Sequence, residues 1–393
     1  MYDYLIIGNG ISGLSAAEEI RKNDENGSIL IITDEKGHTY WRTRLSELIA
    51  KDYTDEEILV KKETWYGDRN IEVKLDTHAE KIDKENKKVI TKDGQEYEYG
   101  KLLIATGSHA FIPPINNSDV KGVFAIRSEE DLKNFKEYLT DKKKIIIIGG
   151  GILGLEAANS ISHLGLEITI VEAFDYLLAR QLDKDLSQKL EKSLNDMGMK
   201  TLTGKFSEEI LVKDGAVCGL KLTDGTEIET DAIMIQAGVR ANIDIAKDSG
   251  LATDRGILVG EDLKVEGEDI YAAGDVAQIG GFTIGLWTAS MEMGKIAGAN
   301  MTGDNKSYEQ PKPFSTLMLG DIKLFSAGQN SGEGIEEVKK EDGEKIYKLF
   351  KNGDEFVGGI LWGDIKYQMD VKKIVFEGVN PKETKLGKEI FDL

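Results

Sequence analysis

The chain has 393 residues, a net charge of −20, 40% hydrophobic residues and 31% charged residues, which is typical of a globular protein of two or three domains. The acidic excess argues against nucleic acid or an anionic membrane surface as a partner, and no apolar run approaches the length of a membrane span. The first residues do not resemble a signal peptide, so we expect a cytoplasmic protein.

A strand and a glycine turn open the chain. The strand, Tyr2–Ile7, runs into the spacing G-x-G-x-x-G and then into a helix. In such a turn the first glycine allows a sharp reversal, the second lets the backbone approach a diphosphate, and the third lets helix and strand pack closely. The helix N-terminus offers free N–H groups to the phosphates. We therefore predict a dinucleotide site, with Asp34 after the next strand as the acid that binds the ribose. The turn contains Gly8, Gly10, Ser12 and Gly13.

Two arginines, Arg42 and Arg44, follow this unit beside Tyr40 and Trp41. The planar guanidinium group suits contact with a phosphate or with the edge of a flavin. The alternative interpretation is the solvated start of a helix. Short alternating strands between residues 71 and 99 then predict a small antiparallel meander.

An apolar strand over residues 101–104 ends in Ala105, Thr106 and Gly107, whose small side chains allow a cofactor to approach the backbone. Two prolines at residues 113–114 then indicate a hinge. Beyond it, a predicted helix leads to the second domain.

The middle of the chain repeats the strand, turn and helix of the first unit. A β-branched strand over residues 145–148 leads to a second G-x-G-x-x-G turn, a helix, and a further strand that ends in Glu172. Glu172 stands about 20 residues beyond the turn, where a carboxylate accepts both ribose hydroxyls and repels a 2′-phosphate. No Arg or Lys follows closely, so we predict NADH rather than NADPH; the alternative is an ordinary tight turn. The predicted NADH site comprises Gly149, Gly151, Ile152, Leu153, Gly154, Glu172, Ala237 and Gly238.

Residues 200–229 predict a second meander, and the strand after it ends in Ala237-Gly238, the counterpart of the turn at 105–107. The whole unit is therefore duplicated. The single cysteine, Cys218, lies in this meander. It excludes an intrachain disulfide, a four-cysteine iron–sulfur site and a C-x-x-C redox pair, and a plain strand residue is favoured. The histidines are scattered, so no metal site is expected.

A strand starting at Asp269 delivers Gly274 and Asp275 to its carboxyl end, where ligands bind in open α/β sheets. A carboxylate suits a hydroxyl donor, so we predict that Asp275 binds the ribityl chain of a flavin; the alternative is a carboxylate that caps a helix. Trp287 and Thr288 then open a helix whose dipole could stabilise negative charge on a reduced flavin.

Four motifs, GNGISG, LLIATGS, IIIIGGGILGLEAA and DIYAAGD, occur in this order and together resemble the FAD- and NAD-dependent pyridine nucleotide oxidoreductases. The absence of a cysteine shortly after the first unit resembles the branch without a redox disulfide. Within that branch, YWRTRLSELIA, LLARQLD and the C-terminal block ending in LWGD are most similar to NADH:rubredoxin oxidoreductases. The flavin module of NADH-dependent nitrite reductase is close to the same pattern.

The resemblance implies an α/β fold with two Rossmann-like domains, one inserted in the other as in glutathione reductase, and a small α+β C-terminal domain. We expect a discontinuous FAD-binding domain over residues 1–113 and 240–311 and an NAD-binding domain over 114–239. The C-terminal domain is expected over 312–393, with a purely structural or dimer-forming role as the alternative.

The resemblance also implies that Glu156 lies where flavin and nicotinamide meet and that Trp287 faces the electron acceptor. Glu47 stands where relatives often place the lysine that pairs with this glutamate, so Arg44 is the expected partner of Glu156. Glu156, Arg44 and Trp287 are therefore the predicted catalytic residues. The predicted FAD site comprises Gly8, Gly10, Ser12, Gly13, Asp34, Arg42, Arg44, Ala79, Ala105, Thr106, Gly107, Gly274, Asp275, Trp287 and Thr288.

The activity implied by the resemblance is transfer of hydride from NADH to FAD, followed by transfer of electrons to a small iron protein. The expected partner is rubredoxin or a similar small electron-transfer protein, and the expected state is a monomer or homodimer. Alternatives are an NADH oxidase, the flavin module of a nitrite-reductase-type complex, or a sensor or interaction protein that binds flavin and NADH.

Overall fold

The structure, a computed structural model, describes residues 1–391, so the last two residues of the expected C-terminal domain lie outside it. No helix in this described part is long and apolar enough to cross a membrane. The elements up to residue 124 are β1 (Tyr2–Ile7), α1 (Ile11–Asn23), β2 (Ile29–Ile32), α2 (Leu45–Leu48), α3 (Asp55–Ile58), α4 (Glu63–Gly67), β3 (Ile71–Lys74), β4 (Ala79–Asp83), β5 (Lys88–Thr91), β6 (Glu96–Ile104), β7 (Ser108–Ala110) and β8 (Val123–Phe124).

The elements of the middle of the chain are α5 (Glu129–Leu139), β9 (Lys144–Ile148), α6 (Ile152–Ser162), β10 (Glu167–Val171), α7 (Lys184–Asp196), β11 (Lys200–Leu202), β12 (Ser207–Lys213), β13 (Ala216–Leu222), β14 (Glu227–Glu229), β15 (Ala232–Ile235), β16 (Val239–Ala241), α8 (Asp244–Asp248), β17 (Ile257–Leu258), β18 (Ile270–Ala272) and β19 (Ala277–Gln278). The remaining elements are α9 (Trp287–Met301), β20 (Phe314–Leu319), β21 (Ile322–Gly328), β22 (Ile335–Asp342), β23 (Lys345–Asn352), β24 (Glu355–Trp362), α10 (Gln368–Glu377) and α11 (Lys385–Glu389).

A parallel sheet organises the first of two compact units, which comprises residues 1–44, 53–111 and 238–311. Its strand order is β3-β2-β1-β6, with β18 also paired to β6. Every residue of β2 is buried, as expected for a β-branched strand that is covered on both faces. Ile104 at the end of β6 lies opposite both Ile7 and Ala272. The motifs that follow these strands therefore meet at one edge of the sheet.

A second parallel sheet organises the other unit, which comprises residues 45–52, 112–237 and the chain from 312 onward. The strand order is β11-β10-β9-β15-β8. Ile148, the last residue of β9, lies opposite Val171 and Ile235. The second glycine turn and Glu172 therefore share one edge, as in the first unit. The predicted meander is present as β12-β13-β14.

Residues 312–391, which we call the C-terminal module, form an antiparallel sheet of five strands in the order β20-β21-β24-β23-β22. Helix α10 packs against β21 and β24. The core between them contains Phe325, Leu361 and Val371, which are fully buried. The module confirms the expected α+β character of this part of the chain.

Two features of the second unit were not indicated by the sequence. Residues 45–52 belong to the second unit, because α2 packs against α6. The C-terminal module also belongs to that unit, although it has a core of its own. The division into an FAD-binding domain, an NAD-binding domain and a C-terminal domain stays a proposal.

Candidate functional site

The first glycine turn joins β1 to α1 and leaves open space where a ligand can reach the backbone. Gly8 has a φ of +105°, and a Cβ atom there would lie 2.2 Å from the carbonyl oxygen of Ala105. A Cβ atom on Gly13 would lie 2.0 Å from the carbonyl oxygen of Gly8, whereas no atom lies within 4 Å of this position on Gly10. The turn therefore fits a diphosphate against Gly10 and the first N–H groups of α1.

Asp34, the acid predicted to bind the ribose, is exposed just after β2, and its role stays a prediction. The side chain of Asp34 is 71% exposed, and its carboxylate lies 3.9 Å from His78 Nδ1. The next residue, Glu35, accepts a hydrogen bond of 2.5 Å from Arg42 Nη2. Burial lowers the pKa of Arg42, but Tyr40 and Glu35 outweigh this effect and raise the pKa. Glu35 is therefore a second candidate for the acid that binds the ribose. Its position next to Asp34 is the sequence feature that could have indicated it.

A network of side-chain oxygens surrounds Asp275 just beyond β18. Its carboxylate accepts hydrogen bonds from Ser108 Oγ at 2.7 Å and from Ser290 Oγ at 3.1 Å. Ser12 Oγ donates to the carbonyl oxygen of Ser290 at 2.7 Å, and a Cβ atom on Gly274 would lie 2.3 Å from that Oγ. Asp275 thus accepts hydrogen bonds from two hydroxyl groups of the protein itself, and its role toward a ribityl chain stays a prediction. Sequence reasoning missed Ser108 and Ser290.

The turn Ala105–Gly107 is fixed by residues that lie far apart in the chain. The N–H group of Ala105 donates to the carbonyl oxygen of Ile7 at 2.7 Å. Thr106 Oγ1 donates to the carbonyl oxygen of Asn242 at 2.9 Å, and Asn242 Nδ2 donates to that of Thr106 at 2.8 Å. The Thr106 hydroxyl therefore stabilises the turn itself. Ala79, also predicted at this site, is half-buried at the start of β4.

Two indole rings stack at the start of α9. Trp287 is the first residue of this helix, and its ring centroid lies 5.4 Å from that of Trp41, with 28° between the ring planes. Trp41 is 39% exposed. The N-cap residue Leu286 has no side-chain acceptor, so the first N–H groups of α9, that of Thr288 included, can face a ligand. Trp41 was not predicted as a site residue, since only the folded chain brings it to Trp287.

The second glycine turn repeats this geometry between β9 and α6. Gly149 has a φ of +117°, and a Cβ atom there would lie 2.3 Å from the carbonyl oxygen of Gln236, the neighbour of Ala237. A Cβ atom on Gly154 would lie 2.1 Å from the carbonyl oxygen of Gly149, and the space at Gly151 is open. This turn also fits a diphosphate. Ile152 and Leu153 begin α6 as expected, whereas Gly238 lies in the first unit.

Glu172 is held beside the second turn. It is 9% exposed, its Oε2 accepts the N–H group of Gly150 at 2.6 Å, and its Oε1 accepts that of Phe174 at 2.8 Å. These bonds leave further lone pairs on both oxygens for ribose hydroxyls. The carboxylate is therefore oriented before a ligand binds.

Glu156 lies on α6 and is half-buried. Its carboxylate has no hydrogen bond or ion pair within residues 1–391, and burial raises its pKa. Such a perturbed carboxyl is typical of functional sites. Arg44 belongs to the first unit, where its Nη1 lies 3.3 Å from the carbonyl oxygen of Glu57. The pairing of Arg44 with Glu156 stays a prediction.

Two family models match the chain. Residues 2–294 match the model described as pyridine nucleotide-disulphide oxidoreductase. Residues 313–379 match the model described as rubredoxin NAD+ reductase C-terminal domain. The two matches include both glycine turns and most of the C-terminal module.

Individual proteins match along nearly the whole chain. The chain is 34% identical over 375 residues to NADH-rubredoxin oxidoreductase of Clostridium acetobutylicum. The aligned region covers 94% of this chain and 93% of that protein. It is 35% identical over 367 residues to nitrite reductase (NAD(P)H) of Bacillus subtilis strain 168, but spans only 45% of that longer protein. The crystal structure of NADH:rubredoxin oxidoreductase from Clostridium acetobutylicum superposes with a TM-score of 0.83 and 31% identity, covering 96% of this chain and 95% of that one.

Proposed function

The chain belongs to the pyridine nucleotide-disulphide oxidoreductase family, and we propose that it is a flavoprotein that takes hydride from NADH onto FAD and passes electrons to rubredoxin or a similar small electron-transfer protein. The extent of the similarity carries this proposal. The chain pairs with 93% of an NADH-rubredoxin oxidoreductase, and its C-terminal module matches a domain of rubredoxin NAD+ reductase. A chain with a single cysteine and NADH as donor suits the reducing cytoplasm.

The first unit has the groups that FAD needs. The open space at Gly10 would receive the diphosphate, and the carboxylate of Asp275 would accept from ribityl hydroxyls. Glu35 or Asp34 would bind the adenosine ribose. The guanidinium of Arg42, already close to Glu35, would add positive charge near the phosphates.

The second unit has the groups that NADH needs. The N–H groups at the start of α6 and the open space at Gly151 would receive the diphosphate. The oriented carboxylate of Glu172 would accept both hydroxyls of the adenosine ribose. A 2′-phosphate at that place would meet like charge, which supports NADH over NADPH.

Bound FAD would supply the chemistry that links a two-electron donor to a one-electron acceptor. The residues of this chain would hold the nicotinamide and the flavin in the orientation that hydride transfer needs. The first N–H groups of α9 present the positive end of a helix dipole to a developing negative charge. Cys218 is the single cysteine, so electrons cannot pass through a redox disulfide of this chain. The exposed indole of Trp41, stacked on Trp287, would instead mark a surface that an acceptor can reach.

The proposal is tested by the order of two reoxidation rates. We expect the FAD-loaded protein, reduced anaerobically with one equivalent of NADH, to be reoxidised by rubredoxin much faster than by oxygen at the same concentration. Stopped-flow absorbance of the flavin measures both rates. Faster reoxidation by oxygen would contradict the proposal and favour an NADH oxidase. Slow reoxidation by both would favour a sensor.

Replacement of Trp287 by alanine should slow the second half-reaction selectively. Removing an aromatic anchor from a protein contact commonly reduces association about tenfold. We therefore expect slower reoxidation by rubredoxin at limiting concentration, with the rate of reduction by NADH nearly unchanged. Phe282, which is 62% exposed in the same unit, provides the matched control variant Phe282→Ala. Equal slowing of both half-reactions would contradict a role for Trp287 toward the acceptor.

A further inference from the structure

A short segment of the second unit, residues 177–183, borders the second glycine turn. The N–H group of Leu178 donates to the carbonyl oxygen of Gly150 at 3.2 Å. A Cβ atom on Gly150 would lie 2.4 Å from Leu177 Cδ2, so the segment lies directly against the turn. Leu178 has a φ of +52°, a backbone conformation that branched residues rarely adopt. Contacts elsewhere must therefore hold the segment in place.

Two polar side chains of the C-terminal module hold the far end of this segment. Ser326 Oγ donates to the carbonyl oxygen of Gln181 at 2.6 Å, and Asn330 Nδ2 donates to the same oxygen at 2.9 Å. Asn330 Nδ2 also lies 2.7 Å from Ser326 Oγ. Ser326 is 4% exposed and Asn330 is 6% exposed. Two buried donors thus converge on one backbone oxygen of the 177–183 segment.

A buried lysine of the module holds the last residue of the segment. The side chain of Lys348 is 1% exposed, and its Nζ donates to Asp183 Oδ2 at 2.7 Å and to Glu337 Oε2 at 2.8 Å. Asp183 Oδ1 in turn accepts the N–H group of Leu186 at 3.0 Å and caps α7. A buried ammonium is unfavourable unless it is paired, so this contact defines the position of Asp183 closely.

We propose that Ser326, Asn330 and Lys348 are positioning residues for the dinucleotide turn of the second unit and thereby set its affinity for NADH. The inference rests on the proposed function, because it requires NADH to bind at this turn. The contacts run without interruption from the module through the 177–183 segment to the backbone of Gly150. A diphosphate binds best to N–H groups that are already oriented, so loosening the segment weakens binding. The module would then form part of the NADH site.

The test compares binding of oxidised NAD+ to FAD-loaded variants by isothermal titration calorimetry. In the double variant Ser326→Ala/Asn330→Ala the dissociation constant of NAD+ should rise about three- to tenfold, because two neutral hydrogen bonds to the segment are lost. Lys348→Met should raise it about tenfold or more, because the carboxylate of Asp183 loses its partner. Steady-state kinetics should show a higher KM for NADH with kcat nearly unchanged. The matched controls are Ser331→Ala and Lys339→Met, which alter exposed side chains of the same module.

A coupling experiment separates positioning from general stabilisation. Asp183→Asn keeps an acceptor for the N-cap but removes the charge that Lys348 binds, so its effect on NAD+ affinity should not add to that of Lys348→Met. An unchanged dissociation constant in the Ser326→Ala/Asn330→Ala variant, with or without a lower melting temperature, overturns the inference. That variant decides the matter even where Lys348→Met does not fold. Failure of the wild-type protein to bind NAD+ would instead contradict the proposed function itself.

Discussion

Replacement of Asp275 by alanine should yield protein that is purified largely without FAD. The carboxylate accepts hydrogen bonds from Ser108 and Ser290, both nearly buried, and is the acceptor proposed for the ribityl chain. Its removal deletes that acceptor and leaves the two serine hydroxyls to reorganise. Hydrogen bonds to a charged group contribute about 1.5–3 kcal/mol each, so we expect the dissociation constant of FAD to rise about 100-fold. Titration of the apoprotein with FAD, followed by flavin fluorescence, measures this constant.

Two further variants isolate the effect of the carboxylate. Asp304→Ala removes an exposed carboxylate in the same unit that pairs with Lys306 at 3.6 Å, and it should retain FAD. Asp275→Asn keeps one acceptor oxygen, so its affinity should lie between those of the wild type and Asp275→Ala. Wild-type affinity in Asp275→Ala would remove Asp275 from the ribityl chain and would leave the serine network a purely structural feature.

The central sheets could be predicted because their sequence signals are local. A fully apolar, β-branched strand followed by a glycine turn specifies both the strand and the position of its carboxyl end. The register then places Gly8 beside Ala105 and Gly149 beside Gln236, as the duplicated motifs implied. The place of residues 45–52 could not be predicted in this way, since the partner of α2 is α6, far along the chain.

The candidate site shows the same division between local and distant contacts. The turn residues and Asp275 follow strands directly, so sequence position indicated them. Ser290 and Trp41 could not be indicated in this way. Ser290 contacts Asp275, and Trp41 contacts Trp287, only when α9 is packed within the folded first unit. Asp34 and Glu35 are adjacent acids in the bend that follows β2, where the alternation of side chains along a strand no longer applies, so the sequence pattern does not distinguish their environments. Only the folded chain distinguishes the exposed Asp34 from the paired Glu35.

Replacement of Glu172 by arginine should reverse the charge at the proposed ribose site and reduce the preference for NADH over NADPH. NADH would lose the carboxylate proposed to accept its ribose hydroxyls, and the 2′-phosphate of NADPH would gain a guanidinium. We expect the ratio of kcat/KM for NADH to that for NADPH to fall about 100-fold, which corresponds to about 2.7 kcal/mol. Reduction of bound FAD by each nucleotide, measured by stopped-flow absorbance, gives both values.

The ratio is the informative quantity because Glu172 also holds the turn. Its loss removes the acceptors for the N–H groups of Gly150 and Phe174, so binding of both nucleotides should weaken. This shared loss cancels in the ratio, whereas contact with the 2′-position does not. Glu167→Arg makes the same charge change at the exposed first residue of β10, the strand that precedes Glu172, so it should leave the ratio near the wild-type value. An unchanged ratio in Glu172→Arg, with both nucleotides bound more weakly, would assign Glu172 to the turn alone and leave the preference for NADH to other residues.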